Sequence, residues 1–485
     1  MVKLDERLLA AVEFVFEETA GKAAPAVADV GCDHGYLSAY LMERRENLRV
    51  LACDVSAPSL QKARDYMAGK DYADRVRFAV ADGLAAIDTQ MDAIVIAGMG
   101  AETMLGIISG GMEKIGGAAL ILQANTDLPM LRTSLCAMGF AIEKEAFADA
   151  AGRHYVTLLA RRAQAQAITP RQALLGAAQN GVATEGQRRY FAWQRSVRVR
   201  EMQRTAGLGR AKERLENNSR ELFWIAETMG MNRCTAADIE SLVGGIAPFE
   251  LAEEWDNVGL LVGRREREVT RVLTALDLTP AVIEEAKALG AQAIVTHHPI
   301  MFSARKRMTD EDYEGRLMLD LIEAGMAHVA AHTNLDAAPG GVNDTLMAAM
   351  GAQNVIGEGC VRAGDLPKGT TLGMLAARAR AKLHAAVRVY GAEDTVVERL
   401  GCCSGAGSSA IGEAAALGAD CFITGEVKHN MALEAMAAGV CMLEAGHFET
   451  ENPVCEVLAN TLQNAADALQ YNVTVFCSKV NPFGR

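Results

Sequence analysis

Four of the nine histidines lie in three short motifs, and two of these motifs add a carboxylate four residues after a histidine. That spacing could place both groups on one helix face, although a loop would serve equally. The motifs are Thr296-His297-His298-Pro299, His332-Thr333-Asn334-Leu335-Asp336 and His447-Phe448-Glu449-Thr450-Glu451. Imidazole nitrogens, together with carboxylates able to bridge, are donors that suit a pair of borderline divalent ions. A lone histidine is more often structural, but three such motifs, each at the end of an apolar run, favour ligation. The sequence therefore predicts a two-metal centre in the C-terminal half.

A second chemical signature lies near the N-terminus, in Asp29-Val30-Gly31-Cys32-Asp33-His34-Gly35-Tyr36-Leu37. A dinucleotide-binding turn needs glycine at the position of Asp33, because the pyrophosphate touches the backbone there. A carboxylate repels a pyrophosphate, but it can accept hydrogen bonds or lie beside the sulfonium of S-adenosylmethionine. The turn therefore favours the methyl donor. Asp54, at the end of the next apolar run, would accept ribose hydroxyls in either scheme, and Asp82 before a glycine fits a contact to the adenine amino group.

The elements that position this turn are short apolar runs alternating with helical stretches. The runs are Ala26 to Val30, Val50 to Asp54, Val76 to Val80, Ala93 to Ala97 and Ala119 to Gln123. This rhythm predicts an α/β, Rossmann-like doubly wound sheet, whose ligands bind at the carboxyl ends of the strands. The predicted cofactor-binding residues are Asp29, Gly31, Asp33, Asp54, Asp82, Gly83, Gly98 and Met99.

Three motifs of this half, Gly31 to Leu37, Ile96-Ala97-Gly98-Met99-Gly100 and Gln123-Ala124-Asn125, are similar to those of the TrmK-like family. That family methylates N1 of the adenine at position 22 of tRNA, and the resemblance covers about residues 1 to 225. Members often have a glycine at Ala101 and a proline at Ala124. The fourth strand also lacks the Asn/Asp-Pro-Pro-Tyr loop that grips an exocyclic amine, which fits a ring-nitrogen target. The resemblance implies S-adenosylmethionine as cofactor and tRNA as partner.

A ring nitrogen already has an in-plane lone pair, so the enzyme mainly has to extrude the base and align it with the methyl group. The candidate catalytic residues are Asp33, Asn125 and Tyr155, with His34 and Tyr36 near the pocket. Asp33 would contact the flipped adenine or receive its proton, although the same residue could be a helix N-cap. For Tyr155, ordinary packing in a strand is favoured over contact with the substrate.

Residues 161–221 have a helical pattern and a local excess of positive charge. The segment contains five Glu and thirteen basic residues. The basic residues are Arg161, Arg162, Arg171, Arg188, Arg189, Arg195, Arg198, Arg200, Arg204, Arg210, Lys212, Arg214 and Arg220. A solvated helical face usually balances its charges, so this surplus suggests contact with tRNA phosphates. The alternative is a basic helix that only packs on an acidic neighbour.

The C-terminal motifs resemble the dinuclear-metal family named after the yeast NGG-one-interacting factor, also called GTP cyclohydrolase 1 type 2 homologs. The resemblance covers Met231 to Arg485, including Trp255-Asp256-Asn257-x-Gly259-Leu260 and Val480-Asn481-Pro482. It implies two divalent ions (Zn, Fe or Mn), a ring-shaped hexamer of this domain, and a set of five metal ligands: His297, His298, Asp336, His447 and Glu451.

Three further residues or segments are interpreted through this resemblance. His332 is expected to support the ligands rather than bind metal, and Glu426 stands where the family usually has Asp. The turn at Ser404 to Ser409 could form a backbone nest for an anion or serve as a tight structural turn. Metal-dependent hydrolysis of an unidentified small molecule is the natural reaction of such a centre. A metal-binding scaffold or regulatory module without catalysis is the alternative.

Composition limits the classes of protein to which this chain could belong. The chain has 485 residues, 50% hydrophobic and 22% charged, with a net charge of −13, which argues against non-specific nucleic-acid binding by the whole chain. The eleven cysteines include no Cys-x-x-Cys pair and are expected to be reduced. An acidic N-terminus and no long apolar run predict a cytoplasmic protein without membrane contact. The predicted organisation is a methyltransferase domain over 1–160, a coiled-coil-like helical extension over 161–230, and a dinuclear-metal α/β domain over 231–485, a fusion of two enzymes.

Overall fold

The computed structural model describes residues 2–176, 183–205 and 212–484, with the backbone alone for Lys212. Two compact units are present. The first comprises Met1–Arg200 and Asn217–Gly230, and the second comprises Glu201–Glu216 and Met231–Arg485. The predicted extension over 161–230 is thus divided between the two units. Arg210 and Arg485 lie outside the described residues.

The first unit is built on one sheet of seven strands in the order β3-β2-β1-β4-β5-β7-β6. The strands are β1 Ala26–Val30, β2 Arg49–Asp54, β3 Val76–Val80, β4 Ala93–Met99, β5 Ala119–Ala124, β6 Phe140–Ala150 and β7 Arg153–Arg162. The first five are parallel and β7 runs antiparallel between β5 and β6. The prediction of a Rossmann-like sheet is confirmed. Each predicted run agrees with its strand to within two residues.

Helices cover the sheet and then form the predicted helical segment. They are α1 Glu6–Thr19, α2 Tyr36–Arg44, α3 Ala57–Met67, α4 Ala101–Gly110, α5 Met112–Ile115, α6 Leu128–Ala137, α7 Pro170–Leu175, α8 Glu185–Thr205 and α9 Lys212–Met229. Strand β5 is buried along its whole length and β4 over its first four residues, as expected for parallel strands covered on both faces.

The second unit contains two sheets. The first has the order β18-β9-β10-β11-β8, and the second has the order β12-β13-β15-β16-β17-β14. Their strands are β8 Gly259–Val262, β9 Arg271–Ala275, β10 Ala293–Thr296, β11 Ala327–Ala330, β12 Gln353–Ile356, β13 Arg362–Asp365, β14 Arg388–Tyr390, β15 Arg399–Cys402, β16 Cys421–Thr424, β17 Cys441–Glu444 and β18 Thr474–Cys477.

The helices of this unit that follow Met231 start with α10. They are α10 Ala236–Ile246, α11 Pro280–Leu289, α12 Tyr313–Glu323, α13 Thr333–Ala337, α14 Val342–Met350, α15 Leu372–Leu383, α16 Ile411–Ala416, α17 His429–Ala437, α18 His447–Glu451 and α19 Val454–Ala468. Thr235 caps α10 in a capping box with Asp238, which fixes where the helix begins. Across the described ranges, no helix combines the length and apolar character needed to cross a bilayer.

Candidate functional site

A cavity of about 530 Å³ opens at the carboxyl ends of β1, β4 and β5. Nine residues singled out from the sequence line it: Asp29, Gly31, Asp33, His34, Tyr36, Gly98, Met99, Asn125 and Tyr155. Among the described residues, its lining leaves out three of the predicted cofactor contacts, Asp54, Asp82 and Gly83. Asp54 is nevertheless joined to the turn, because the backbone N–H of Asp33 donates to Asp54 Oδ2 over 3.0 Å.

Asp33 occupies the tip of the turn in a left-handed conformation, with φ of 48°. Helix α2 begins only at Tyr36, and Gly35 is its N-cap. The interpretation of Asp33 as a helix N-cap is therefore wrong, since two further residues separate it from the helix. The Asp33 carboxylate lies 2.6 Å from His34 Nδ1. Burial alone would raise the pKa of Asp33, but hydrogen bonds from His34 and Ser59, together with the charges of His34 and Lys62, lower it below its usual value.

Asp29 lines the same cavity as Asp33 but lies in a different environment. Its carboxylate is buried and accepts a hydrogen bond from Ser38 Oγ over 2.6 Å. Burial raises the pKa of Asp29 to about 6. Two carboxylates on one cavity therefore have opposite pKa shifts, and Asp33 is the one whose environment favours the ionised form.

Arg7, which belongs to none of the sequence motifs, reaches the cavity from α1. Its Nη1 donates to Gln123 Oε1 over 2.8 Å, and its guanidinium lies 5.6 Å from the centre of the Tyr155 ring. Tyr155 thus combines a strand position in β7 with a place on the cavity wall. The only sequence signal for Arg7 is a basic residue in an acidic first turn, Asp5-Glu6-Arg7, which is too common to be informative.

Gln123 and Asn125 fix the floor of the cavity around Gly98. Buried Gln123 accepts from the Gly98 N–H over 3.1 Å and donates to Asn125 Oδ1 over 3.2 Å. Asn125 Nδ2 in turn donates to the Gly98 carbonyl over 2.8 Å. Arg7, Gln123 and Asn125 therefore form one hydrogen-bonded network, which holds the strand ends in a defined arrangement.

In the second unit, the three predicted metal motifs meet at strand ends of both sheets. His297 and His298 follow β10, Asp336 lies in α13 after β11, and His447 and Glu451 delimit α18 after β17. The spacing of four residues therefore corresponds to single helical turns, as one of the two sequence alternatives proposed. Ligand atoms within each of three groups lie within 4.8 Å of one another; the groups are His297/Asp336/Glu451, His298/His447/Glu451 and His297/His298/His332.

Glu451 belongs to two of these groups. Its Oε2 lies 3.2 Å from His298 Nε2, 3.1 Å from His447 Nε2 and 4.0 Å from His297 Nε2. His297 Nε2 also lies 3.7 Å from Asp336 Oδ1. One carboxylate oxygen is thus shared between a group that contains His297 and a group that contains His447.

Every imidazole of the cluster has its Nδ1 atom held by an acceptor. The partners are Ala331 O for His297 at 3.0 Å, Asp277 for His298 at 2.7 Å, Asp256 for His332 at 2.9 Å and Glu426 for His447 at 2.8 Å. Such partners fix the tautomer and turn Nε2 toward the centre, as in histidines that bind metals. The acid at position 426, the departure noted in the sequence, supplies one of them. His332 is oriented in the same way as the predicted ligands.

Three buried atoms at the centre, His297 Nε2, Asp336 Oδ1 and Glu451 Oε2, have no hydrogen-bond partner among the described residues. Burial lowers the pKa of His297 to about 3, and burial next to Glu451 raises that of Asp336 well above its usual value. Unpartnered nitrogen and oxygen donors converging in a buried place are costly unless a cation satisfies them. The donor set therefore fits divalent metal ions.

The turn at Ser404–Ser409 closes one side of the cluster. The Ser404 N–H donates to Asn343 Oδ1 over 2.8 Å, and the Gly405 N–H donates to Thr450 Oγ1 over 3.1 Å. A Cβ at Gly405 would collide with Glu451 Oε1 and lie 2.9 Å from His447 Nε2. These contacts favour a structural turn over an anion-binding nest, because the N–H groups of Ser404 and Gly405 already have protein partners.

Several arginines of the basic segment are held in ion pairs within the first unit. Arg171 lies 3.2 Å from Glu227, Arg189 lies 2.6 Å from Asp149, and Arg198 lies 2.6 Å from Glu221. Arg161 pairs with Glu18, and Arg195 is buried. Among the described residues, no acid pairs with the exposed Arg200, Arg204 or Arg214. The surplus available for phosphates is therefore smaller than the charge count indicates.

The two folds and their clefts define the class of this protein: a methyltransferase domain joined to an α/β domain whose histidines and carboxylates could hold metal. A methyltransferase-domain model matches residues 4–158. The chain belongs to the Duf34/NIF3 (NGG1p interacting factor 3) family, whose model matches residues 234–483.

Three similar proteins illustrate the two halves. A GTP cyclohydrolase 1 type 2 homolog of Clostridium perfringens is 34% identical over 241 residues, 48% of this chain and 92% of that protein. The crystal structure of a Staphylococcus aureus hypothetical protein covers 52% of this chain and 98% of its own, with a TM-score of 0.50 and 30% identity. A Streptococcus pneumoniae structure, described as a candidate tRNA (m1A22) methyltransferase, covers 47% of this chain and 100% of its own, with a TM-score of 0.42 and 24% identity.

Proposed function

We propose that the first unit methylates N1 of the adenine at position 22 of tRNA. The observation that carries this proposal is the cavity in which Asp33, Asn125 and Tyr155 lie together at the carboxyl ends of the parallel strands. S-adenosylmethionine supplies the methyl group when bound. The motif resemblance at Gly31–Leu37 and the absence of an amine-gripping loop after β4 support a ring nitrogen as the acceptor.

The residues of this cavity would act mainly by positioning and by charge. An adenine methylated at N1 carries a positive charge, which an ionised carboxylate stabilises. Asp33 is suited to this role, because its pKa is lowered and it lies at the cavity mouth. Asn125 offers an amide whose orientation is fixed by Gly98 and Gln123. Tyr155 offers a ring face against which the base can stack.

The test is mass analysis of the nucleosides of tRNA incubated with the protein and S-adenosylmethionine. We expect 1-methyladenosine at position 22 and no product from a tRNA in which that adenine is replaced by guanine. Methylation at N6, or none in a preparation that binds S-adenosylmethionine, contradicts the assignment.

We further propose that the second unit is a metal-dependent hydrolase with two divalent ions. His297, His298, Asp336, His447 and Glu451 would hold the ions, and the three unpartnered buried atoms carry this proposal. The ions supply Lewis acidity and an activated water at neutral pH when bound. The chain's own contribution is a fixed, buried donor set whose imidazoles are oriented by Ala331 O, Asp277 and Glu426.

A hydrolysis screen of nucleotides and phosphate esters with metal-free and metal-loaded protein tests this part. Turnover only in the loaded protein is expected. The same null result for both forms would favour the scaffold or regulatory module. A hexamer assembled through this unit is a further proposal, and light scattering that shows a clean monomer would contradict it.

A further inference from the structure

An open cavity of about 670 Å³ lies over the histidine and carboxylate cluster of the second unit. Its floor includes His298, His332 and Glu451. Its wall includes Trp255 and Phe302, which are 62% and 49% exposed. Large aromatic side chains that remain exposed on the wall of a concave site are available for contact with a ligand.

Both aromatic rings pack against the His332 imidazole. The ring of Trp255 lies 6.0 Å from that of His332, at an interplanar angle of 75°, and the ring of Phe302 lies 5.5 Å from it, at 84°. His332 in turn belongs to the same group of possible ligands as His297 and His298. The two aromatic rings are therefore anchored at the edge of the cluster, and His332 connects them to it.

We propose that Trp255 and Phe302 form a stacking subsite for a planar ring, and that the substrate of this unit is a planar aromatic compound bearing an anionic oxygen group. This inference rests on the proposed metal-dependent function, because the oxygen group would be held at the cluster. The ring would lie against the exposed aromatic wall. Aromatic faces favour flat π systems over saturated groups of similar size, so the wall selects for planarity.

Three phosphonates that share one anionic group provide the test. Methylphosphonate, cyclohexylphosphonate and phenylphosphonate are titrated into the metal-loaded full chain by calorimetry. Phenylphosphonate is expected to bind roughly tenfold more tightly than methylphosphonate and several-fold more tightly than cyclohexylphosphonate. In Trp255→Ala and Phe302→Ala this preference for the phenyl ring should fall to about twofold or less, while methylphosphonate affinity and metal content stay unchanged. Phe483→Ala, a 67% exposed aromatic outside the cavity lining, is the matched control and should keep the preference.

The outcomes separate the subsite from the function on which it rests. If no phosphonate binds the loaded protein, the proposed metal-dependent function fails, and the subsite fails with it. If all three phosphonates bind the wild type equally, the subsite is refuted while the metal function stands. If Trp255→Ala changes the molecular mass in solution measured by light scattering, the aromatic wall is an interface between copies of this chain, and the proposal is overturned.

Discussion

Glu451 Oε2 lies 3.1 Å from His447 Nε2, one helical turn earlier in α18. The same oxygen lies 3.2 Å from His298 Nε2, and no hydrogen bond to it is formed by any described residue. A single carboxylate oxygen facing two imidazole nitrogens, without hydrogen-bond geometry to either, is in the arrangement expected of a group that binds cations. The shared position of Glu451 connects the two halves of the proposed metal centre.

Replacing Asp33 with Asn should impair turnover, whereas replacing Asp54 with Asn should impair binding of S-adenosylmethionine. Asp33→Asn removes the charge at the cavity mouth, so kcat should fall by about 100-fold or more while the Kd for S-adenosylmethionine changes only a few-fold. Asp54→Asn should raise that Kd by at least about tenfold, because Asp54 accepts from the N–H groups of Asp33 and Ser56 and shapes the turn. Calorimetry and initial rates with tRNA separate the two. Equal losses of binding in both variants would refute the division of roles.

Arg7 should matter to the methyltransferase reaction although it lies outside the sequence motifs. Arg7→Gln removes a charged hydrogen bond to buried Gln123 and the cation beside Tyr155, and such bonds contribute about 1.5–3 kcal/mol. We expect kcat/KM for tRNA to fall roughly 10- to 100-fold, with binding of S-adenosylmethionine retained. Arg7→Lys should recover part of the loss. A wild-type rate in Arg7→Gln would show that the network only supports the fold.

The ion pairs distinguish two groups of arginines in the helical segment. Neutralising the unpaired Arg200, Arg204 and Arg214 together should flatten the salt dependence of tRNA binding, by roughly 0.9 in log–log slope for each phosphate that is no longer neutralised. The matched triple variant of the paired Arg171, Arg189 and Arg198 should change the slope less, because their charges already face Glu227, Asp149 and Glu221. Equal slopes in both triple variants and the wild type would assign the segment to packing.

His328 should make the second unit sensitive to acid. It is fully buried in β11, where burial lowers its pKa to about 3 from the ordinary 6.5. Below pH 6.5 the unfolded chain therefore binds a proton that the folded chain excludes, and stability falls by up to about 1.36 kcal/mol per pH unit as pH decreases toward 3. In His328→Gln, the midpoint of denaturant unfolding of this unit should depend less on pH between 7 and 5. An unchanged pH dependence would contradict a neutral buried His328.

The sequence predicted the elements that depend on local patterns. The five parallel strands of the first unit follow from apolar runs, and the helical turn from His447 to Glu451 is one of the two structures that the four-residue spacing allowed. Contacts between residues distant along the chain were not predictable. Arg7 and Gln123 are 116 positions apart, and Asp256 meets His332 across 76 positions. The left-handed backbone of Asp33 was missed because glycine, not aspartate, normally marks such a conformation.

The metal content of Glu451→Gln decides whether one carboxylate serves both ions of the proposed centre. Because Glu451 Oε2 faces ligands of both groups, its loss should remove both ions, whereas His298→Gln should spare at least part of the ion held by His297 and Asp336. Glu456→Gln, an exposed acid in the following helix, is the matched control. Elemental analysis of folded protein should find two divalent ions per chain in the wild type and in the control, and close to none in Glu451→Gln. One ion per chain in the fully loaded wild type, or two retained in Glu451→Gln, would contradict the shared-carboxylate centre.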